Sequence, residues 1–263
     1  MSDALNMKIT FLGTGTSQGV PVIACNCSVC LSPNEKDKRL RSSVMINHKG
    51  LNYVIDTGPD FRQQMLRQDV QELEAVLFTH EHKDHLAGLD DVRAFNYKQK
   101  RDMDIFCSEG VENALRREFY YIFTEDKYPG VPSVNINRIN SVSSFKLNDE
   151  LEVLPIEVMH YKMPVLGFRF HDFVYITDAK TVSSVERKKL KGTKILVINA
   201  LRKEEHISHF NLEEALAFIE DIKPEKAYLT HISHLFGRHE DIAELLPENV
   251  EVAYDGMQLE IAL

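Results

Sequence analysis

The stretch that decides the fold is Val76-Leu77-Phe78-Thr79-His80-Glu81-His82-Lys83-Asp84-His85. It opens as a short apolar run of the kind that forms a buried strand, then turns abruptly polar. His80, His82, Asp84 and His85 place four potential metal ligands within six residues. A strand cannot aim all four one way, because its side chains alternate between faces. A loop leaving the strand end can. Imidazole and carboxylate together suit zinc, manganese or iron, and the lack of cysteine among them disfavours a closed structural zinc site. The plainer alternative is a solvated polar loop, which gives no reason for three of the chain's 11 histidines to gather here.

Outward from that stretch the chain echoes itself. Tyr53-Val54-Ile55-Asp56 resembles Tyr175-Ile176-Thr177-Asp178, and Val76 to His80 resembles Ala227-Tyr228-Leu229-Thr230-His231. Each half contributes a strand ending in Asp and a strand ending in Thr-His. Two similar βα halves facing one another would bring these polar ends to one edge. Chance likeness among short apolar strands is the competing explanation.

The remaining pattern alternates strand and helix. Strands are expected at 8–12, 44–47 and 53–55 (a hairpin across Lys49-Gly50), 75–78, 151–158, 167–170, 173–176 and 195–198, then 227–229, 251–253 and 258–261. Helices are expected at 61–68, 111–123 and 212–219. Asn211 and Glu214 form a capping box for the last of these, and Pro224 follows it. Residues 128–133, with two prolines and a glycine, form the expected mobile loop. Asp90-Asp91 reads as a solvated helix start, Cys107 as a buried thiol, and His48, His171 and His239 as structural or surface residues.

His80-x-His82-x-Asp84-His85 is similar to the signature of the metallo-β-lactamase superfamily. The chain resembles its other motifs in order: Asp56 in Asp56-Thr57-Gly58, then His160, Asp178 and His231. The resemblance spans about Lys8 to Gly256. It implies one α/β domain, 1–263, folded as a four-layer αββα sandwich with its site at one edge between two sheets. It also implies two catalytic divalent ions, zinc or manganese. His80, His82 and His160 would hold one ion, and Asp84, His85 and His231 the other. Asp178 would bridge them, and Asp56 would orient a ligand histidine. Two such ions close together activate water and neutralise charge building on a substrate.

Cys25-Asn26-Cys27-Ser28-Val29-Cys30 is a second signal. Cys25 and Cys27 are too close to pair comfortably, and three thiolates need a fourth ligand for tetrahedral zinc. Buried thiols, or a disulfide to Cys107, are the alternatives. Gly13-Thr14-Gly15-Thr16-Ser17-Gln18-Gly19-Val20-Pro21 followed by Cys-x-Cys-x-x-Cys resembles the PhnP-type branch of cyclic phosphate phosphodiesterases. In that branch the second histidine of a Thr-His-x-Ser-His run completes a structural zinc site. The resemblance therefore assigns Cys25, Cys27, Cys30 and His234 to one structural zinc. The glycine spacing is wrong for a dinucleotide fingerprint.

His206-Ile207-Ser208-His209 precedes the capped helix. It reads either as a phosphate-reading patch or as an ordinary polar loop. The resemblance favours substrate contact by His206 and His209, with His209 protonating the leaving oxygen. Catalysis would then rest on His209, Asp84 and Asp178.

Acidic residues outnumber basic ones 40 to 31, a formal charge of -9, which argues against broad nucleic-acid binding. Met1–Met7 lacks the pattern of a signal peptide, and no apolar run is long enough for a membrane span, so a cytoplasmic setting with reduced thiols is expected. A homodimer is compatible with these features. The leading function is hydrolysis of a small, including cyclic, phosphodiester such as a ribosyl cyclic phosphate or nucleotide. An RNase Z-like nuclease and a non-catalytic PqqB-type carrier or cofactor-pathway protein are the alternatives. A lactamase or thioester hydrolase fits the histidine pair near the carboxy terminus less well.

Overall fold

The computed structural model describes residues 6–262. Strands β1 (Asn6–Gly13), β2 (Ser43–His48), β3 (Leu51–Ile55), β4 (Ala75–Leu77), β5 (Met103–Cys107) and β6 (Val134–Arg138) lie in one sheet. The second sheet holds β7 (Phe145–Lys146), β8 (Glu152–His160), β9 (Met163–Phe170), β10 (Phe173–Tyr175), β11 (Ile195–Asn199), β12 (Lys226–Thr230) and β13 (Val250–Val252). The last strand, β14 (Gln258–Ala262), returns to the first sheet beside β1. Each sheet repeats one plan. An antiparallel hairpin, β2-β3 or β9-β10, leads into a run of parallel strands, β3 to β6 or β10 to β13.

Period-two alternation explains the layering. Tyr53, Ile55 and Leu77 of the first sheet and Phe168, Tyr175 and Val197 of the second bury their side chains together between the sheets. Their chain neighbours face outward. Val54 and Val76 pack on α1 (Phe61–Arg67), α3 (Arg93–Gln99) and α4 (Glu109–Glu118) through Phe61, Phe95 and Leu115. Beyond the short α5 (Ser184–Lys189), Val174, Leu196 and Ile198 pack on α6 (Leu212–Ile222) through Phe218 and Ile219. Helix, sheet, sheet, helix is thus the outcome, and the expected sandwich is realised. Truncating a fully buried ring such as Phe168 to alanine would cost about 3–5 kcal/mol.

Some local readings shift. The capping box at Asn211 and Glu214 is present, but α6 runs on to Ile222. The expected helix 111–123 begins earlier, because the Ser108 side chain accepts from the Val111 amide. It ends at Glu118, and Phe119 departs from helical geometry before a 3-10 turn at Tyr120–Ile122. Strands β5 and β6 are additions; Asp104, Asn135 and Asn137 interrupt their apolar pattern. Asp90 and Asp91 lie in a 3-10 turn, where Asp90 accepts from the Tyr121 hydroxyl at 2.6 Å. His48 and His239 are buried, as is Cys107.

The echo between halves is real at the strand ends but not in topology. The Thr79-His80 pair follows β4, the immediate parallel neighbour of β3. Thr230-His231 follows β12, which is separated from β10 by β11. The strand of the second sheet that occupies the place of β4 is therefore β11, not β12.

Candidate metal centre

Sharp exits from strands build the site. β4 stops at Leu77, and His82 caps the short helix α2 (Lys83–Leu86) in extended geometry, so Asp84 and His85 turn inward on its first turn. Gly58 makes room for this: a Cβ there would lie 2.1 Å from the Asp84 carbonyl oxygen. Asp56, Asp178 and His231 all adopt left-handed φ, 66°, 57° and 57°. L side chains seldom take that conformation, and it turns each residue out of its strand toward the shared edge.

Hydrogen bonds then fix the rings. Asp56, fully buried, accepts from the Thr79 amide at 2.9 Å and hydroxyl at 2.8 Å, and from His85 Nδ1 at 2.7 Å. Since the Thr79 proton is committed to Asp56, its oxygen accepts from His80 Nδ1 at 3.0 Å. His160 Nδ1 donates to the Ser208 carbonyl at 2.8 Å. In all three histidines Nδ1 carries a proton, which leaves Nε2 facing the shared edge. The Nε2 atoms of His80 and His85 are buried without a hydrogen-bond partner. Buried ring nitrogens left without a hydrogen-bond partner beside carboxylates are costly unless a cation meets them, so the residues present fit a metal site.

Asp178 is the common member of three donor groups. It stands with Asp84, His85 and His231, with His80 and His82, and with His160 and His209. Its Oδ1 lies 3.1 Å from His231 Nδ1, and its Oδ2 lies 3.6 Å from His80 Nε2. The His160 ring centroid is 5.0 Å from that of His82 and 4.4 Å from that of His209. Thr16 Oγ1 and Ser42 Oγ lie 3.1 and 3.2 Å from the two nitrogens of His231. Neither residue was singled out from the sequence, although Thr16 belongs to the glycine turn. That turn is stitched to the last ligand segment by Thr16 N to Ile232 O and Ile232 N to Thr14 O.

Burial alone would raise the Asp84 and Asp178 carboxyls. His85 beside Asp84, and His231 and His85 beside Asp178, overcome it and hold both below the ordinary carboxylate range. Burial would lower His85, but Asp84 and Asp178 lift it well above the usual imidazole value. Burial takes His80 well down, lowers His82 and His231, and brings His209 to about 3. The pocket therefore combines anionic oxygens with mostly neutral imidazoles, the donor chemistry a divalent cation requires.

His209 is buried against the site. Its ring stacks 4.9 Å from that of His231, and its Nδ1 has no hydrogen-bond partner. His206 lies behind it, 5.2 Å ring to ring, with Nδ1 accepting from the Ser208 amide at 3.3 Å. His206 joins none of the donor groups found among the described residues.

The cysteines form a separate cluster. Cys25, Cys27 and Cys30 Sγ lie 3.2, 3.5 and 3.5 Å from His234 Nδ1. All four cysteines are free, so the disulfide alternative is not realised. Sulfur and nitrogen bound tetrahedrally to one zinc sit about 3.5 Å apart, given bonds of about 2.3 and 2.0–2.1 Å. The Cys30 amide, donating to Cys27 Sγ at 3.4 Å, leads the effects that bring the Cys27 thiol down to about 6. Burial pushes Cys30 up to about 11. These residues fit one thiolate-rich metal site.

Residues 51–232 match the family described as Beta-lactamase superfamily domain. The crystal structure of a new diphosphatase from the PhnP family superposes with a TM-score of 0.91 at 35% identity, covering 98% of each chain. Zinc-bound PqqB from Methylobacterium extorquens shares the fold, with a TM-score of 0.81 at 19% identity, covering 97% of this chain and 100% of that one. An octanoyltransferase of Porphyromonas gingivalis is 37% identical over 254 residues, 96% of this chain and 51% of that protein. The chain thus spans about half the length of that relative.

Proposed function

Because the chain belongs to the metallo-β-lactamase superfamily and, within it, to the PhnP family, we propose that this metal-dependent hydrolase cleaves a small phosphodiester, cyclic ones included. The observation that carries the reading is Asp178, shared by three donor groups at the edge where both sheets deliver their strand ends. In this reading His80, His82 and His160 would hold one ion and Asp84, His85 and His231 the second, with Asp178 the carboxylate common to both donor sets. Two divalent ions supply Lewis acidity toward phosphoryl oxygens and lower the pKa of water.

The chain's own residues do the rest. Asp56 and Thr79 lock His85 and His80 in the tautomers that present Nε2. His209 packs against His160 and His231 with Nδ1 unpartnered; the negative charge of a bound diester would have to offset the burial that brings its imidazole to about 3 before it could protonate the departing alkoxide. Cys25, Cys27, Cys30 and His234 hold a structural zinc that keeps the amino-terminal loop against the segment carrying His231.

The likeness to a diphosphatase, at 35% identity across 98% of both chains, favours one second reading, a phosphoanhydride substrate. The test is a panel assayed after loading with zinc or manganese: bis-p-nitrophenyl phosphate, 2′,3′-cyclic nucleotides, a dinucleoside diphosphate, a lactam and a thioester. Metal-dependent cleavage of the diesters is expected. Cleavage of the diphosphate alone selects the second reading. Turnover of the lactam or thioester alone refutes both, and no turnover at all favours a PqqB-type non-catalytic role.

A further inference from the structure

A cleft of about 590 Å³ ends against His80. Its volume falls within the range of small-molecule sites, roughly 300–1,000 Å³. Its floor is apolar, from Ile139, Met163, Pro164 and Leu166. Glu81, Glu109, Glu157, Asn140 and Ser141 stand along its walls. The Glu81 carboxylate lies against Gly110 at the first turn of α4, so the ligand loop itself forms one wall.

The charge of this lining decides what fits. Arg138 is committed to Glu109 at 3.0 Å and to Glu112. Lys189, behind the cleft, pairs with Glu186 at 2.8 Å and donates to the carbonyls of Ser141 and Pro155. Among the described residues neither Glu81 nor Glu157 pairs with a cation, and Glu157 accepts only from the Ser141 hydroxyl, at 3.1 Å. Unneutralised carboxylates repel a second phosphate and accept hydrogen bonds from hydroxyl or amino groups. The apolar floor suits a ring face. His209, assigned above to the leaving oxygen, packs 4.4 Å from the His160 ring and stacks 4.9 Å from that of His231, and it does not line this cleft. The cleft therefore meets the arm that stays on phosphorus.

Resting on the phosphodiester reading above, we infer that this cleft seats the retained arm of the substrate, a neutral group rich in hydroxyl or amino donors such as a nucleoside or glycosyl unit. Glu157 and Asn140 determine that specificity, and a second phosphate on the arm is rejected.

Two esters with the same leaving group test this: thymidine 5′-(p-nitrophenyl phosphate) and methyl p-nitrophenyl phosphate. Metal-loaded protein should prefer the thymidyl ester by roughly tenfold or more in kcat/KM. Glu157→Gln and Asn140→Ala should each lower that ratio. Adding a 3′-phosphate to the thymidine should lower kcat/KM in the wild type, and Glu157→Gln should shrink that penalty. A ratio near one in the wild type, an unchanged ratio in both variants, or a 3′-phosphate that improves the substrate overturns the inference. Should neither ester be cleaved, the diester reading fails instead, and the cleft is judged by calorimetry. Thymidine 5′-monophosphate must then bind metal-loaded wild type more tightly than methyl phosphate, and equal affinities overturn the assignment.

Discussion

His231 and His234 are separated by two residues and belong to different clusters. His231 is 1% exposed and faces Asp178, with Thr16 and Ser42 on its two nitrogens. His234 faces three thiols from a single loop. The first cluster draws its donors from the strand ends of both sheets and backs them with the large core between the sheets. The second sits on a small apolar patch, Val20, Val29 and Cys30, with Val22, Cys25 and Cys27 packed against it. The difference teaches where an ion is needed for the fold itself. The imidazole and carboxylate donors are held by hydrogen bonds and packing, so an ion there would be chiefly a reagent. The thiol loop has mainly short-range hydrogen bonds and this small patch to hold it, so an ion there would contribute folding energy directly.

The largest expected effect would break the first half of this contrast. Asp178→Ala should lower phosphodiester turnover by about 10³-fold or more, as removing a preorganised electrostatic group does. The thermal midpoint should move little, because packing carries the fold. Asp84→Ala should behave alike. Near wild-type turnover in either variant, in steady-state assays, would falsify the shared-carboxylate site.

Next comes His209→Ala. An alkoxide needs a proton as it departs, whereas p-nitrophenolate leaves readily without one. The loss on an alkyl diester should reach about 10²–10⁴-fold, and the loss on a p-nitrophenyl diester should be much smaller. Equal losses would assign His209 to phosphate binding.

Asp56→Ala probes the hydrogen bond behind His85. It should weaken metal affinity about 10–100-fold in a competition titration. An affinity within twofold of wild type would mean that packing alone aims the ring.

Cys27→Ala should have the smallest effect on rate and the clearest effect on stability. Zinc content should fall by about one ion, and the thermal midpoint should drop by more than about 2–4 °C, the shift of 1 kcal/mol in a domain approaching this size. Activity should be reduced but measurable. Added manganese should not restore the stability, because it prefers oxygen and nitrogen donors to thiolates. Equal zinc in variant and wild type by elemental analysis would erase the contrast between the two clusters.

Much of the scaffold was legible because it is written locally. The hairpin across Lys49-Gly50, the capping box at Asn211 and Glu214, and the apolar run ahead of His80 each depend on residues close in sequence. Strands β5 and β6 were missed because Asp104, Asn135 and Asn137 break the apolar pattern, and parallel pairing with distant neighbours supplies what propensity lacks. The start of α4 was missed because its signal is one capping serine.

By itself the sequence determined which donors this protein has. It placed four of them in one loop after a buried strand, put the thiols in one tight run, and supplied Asp56, Asp178 and His231 at the ends of apolar runs. Only the tertiary structure decided their meeting. Left-handed turns at those three residues, the close approach permitted by Gly58, and the offset that places His231 after β12 rather than β11 all arise from packing between segments far apart in the chain. So does the pairing of Thr16 and Ser42 with His231, across 215 and 189 residues. The physical reason is that donor identity is a property of single side chains. Donor geometry to within a few tenths of an ångström is a property of a close-packed interior, where each exit angle is set by what lies against it.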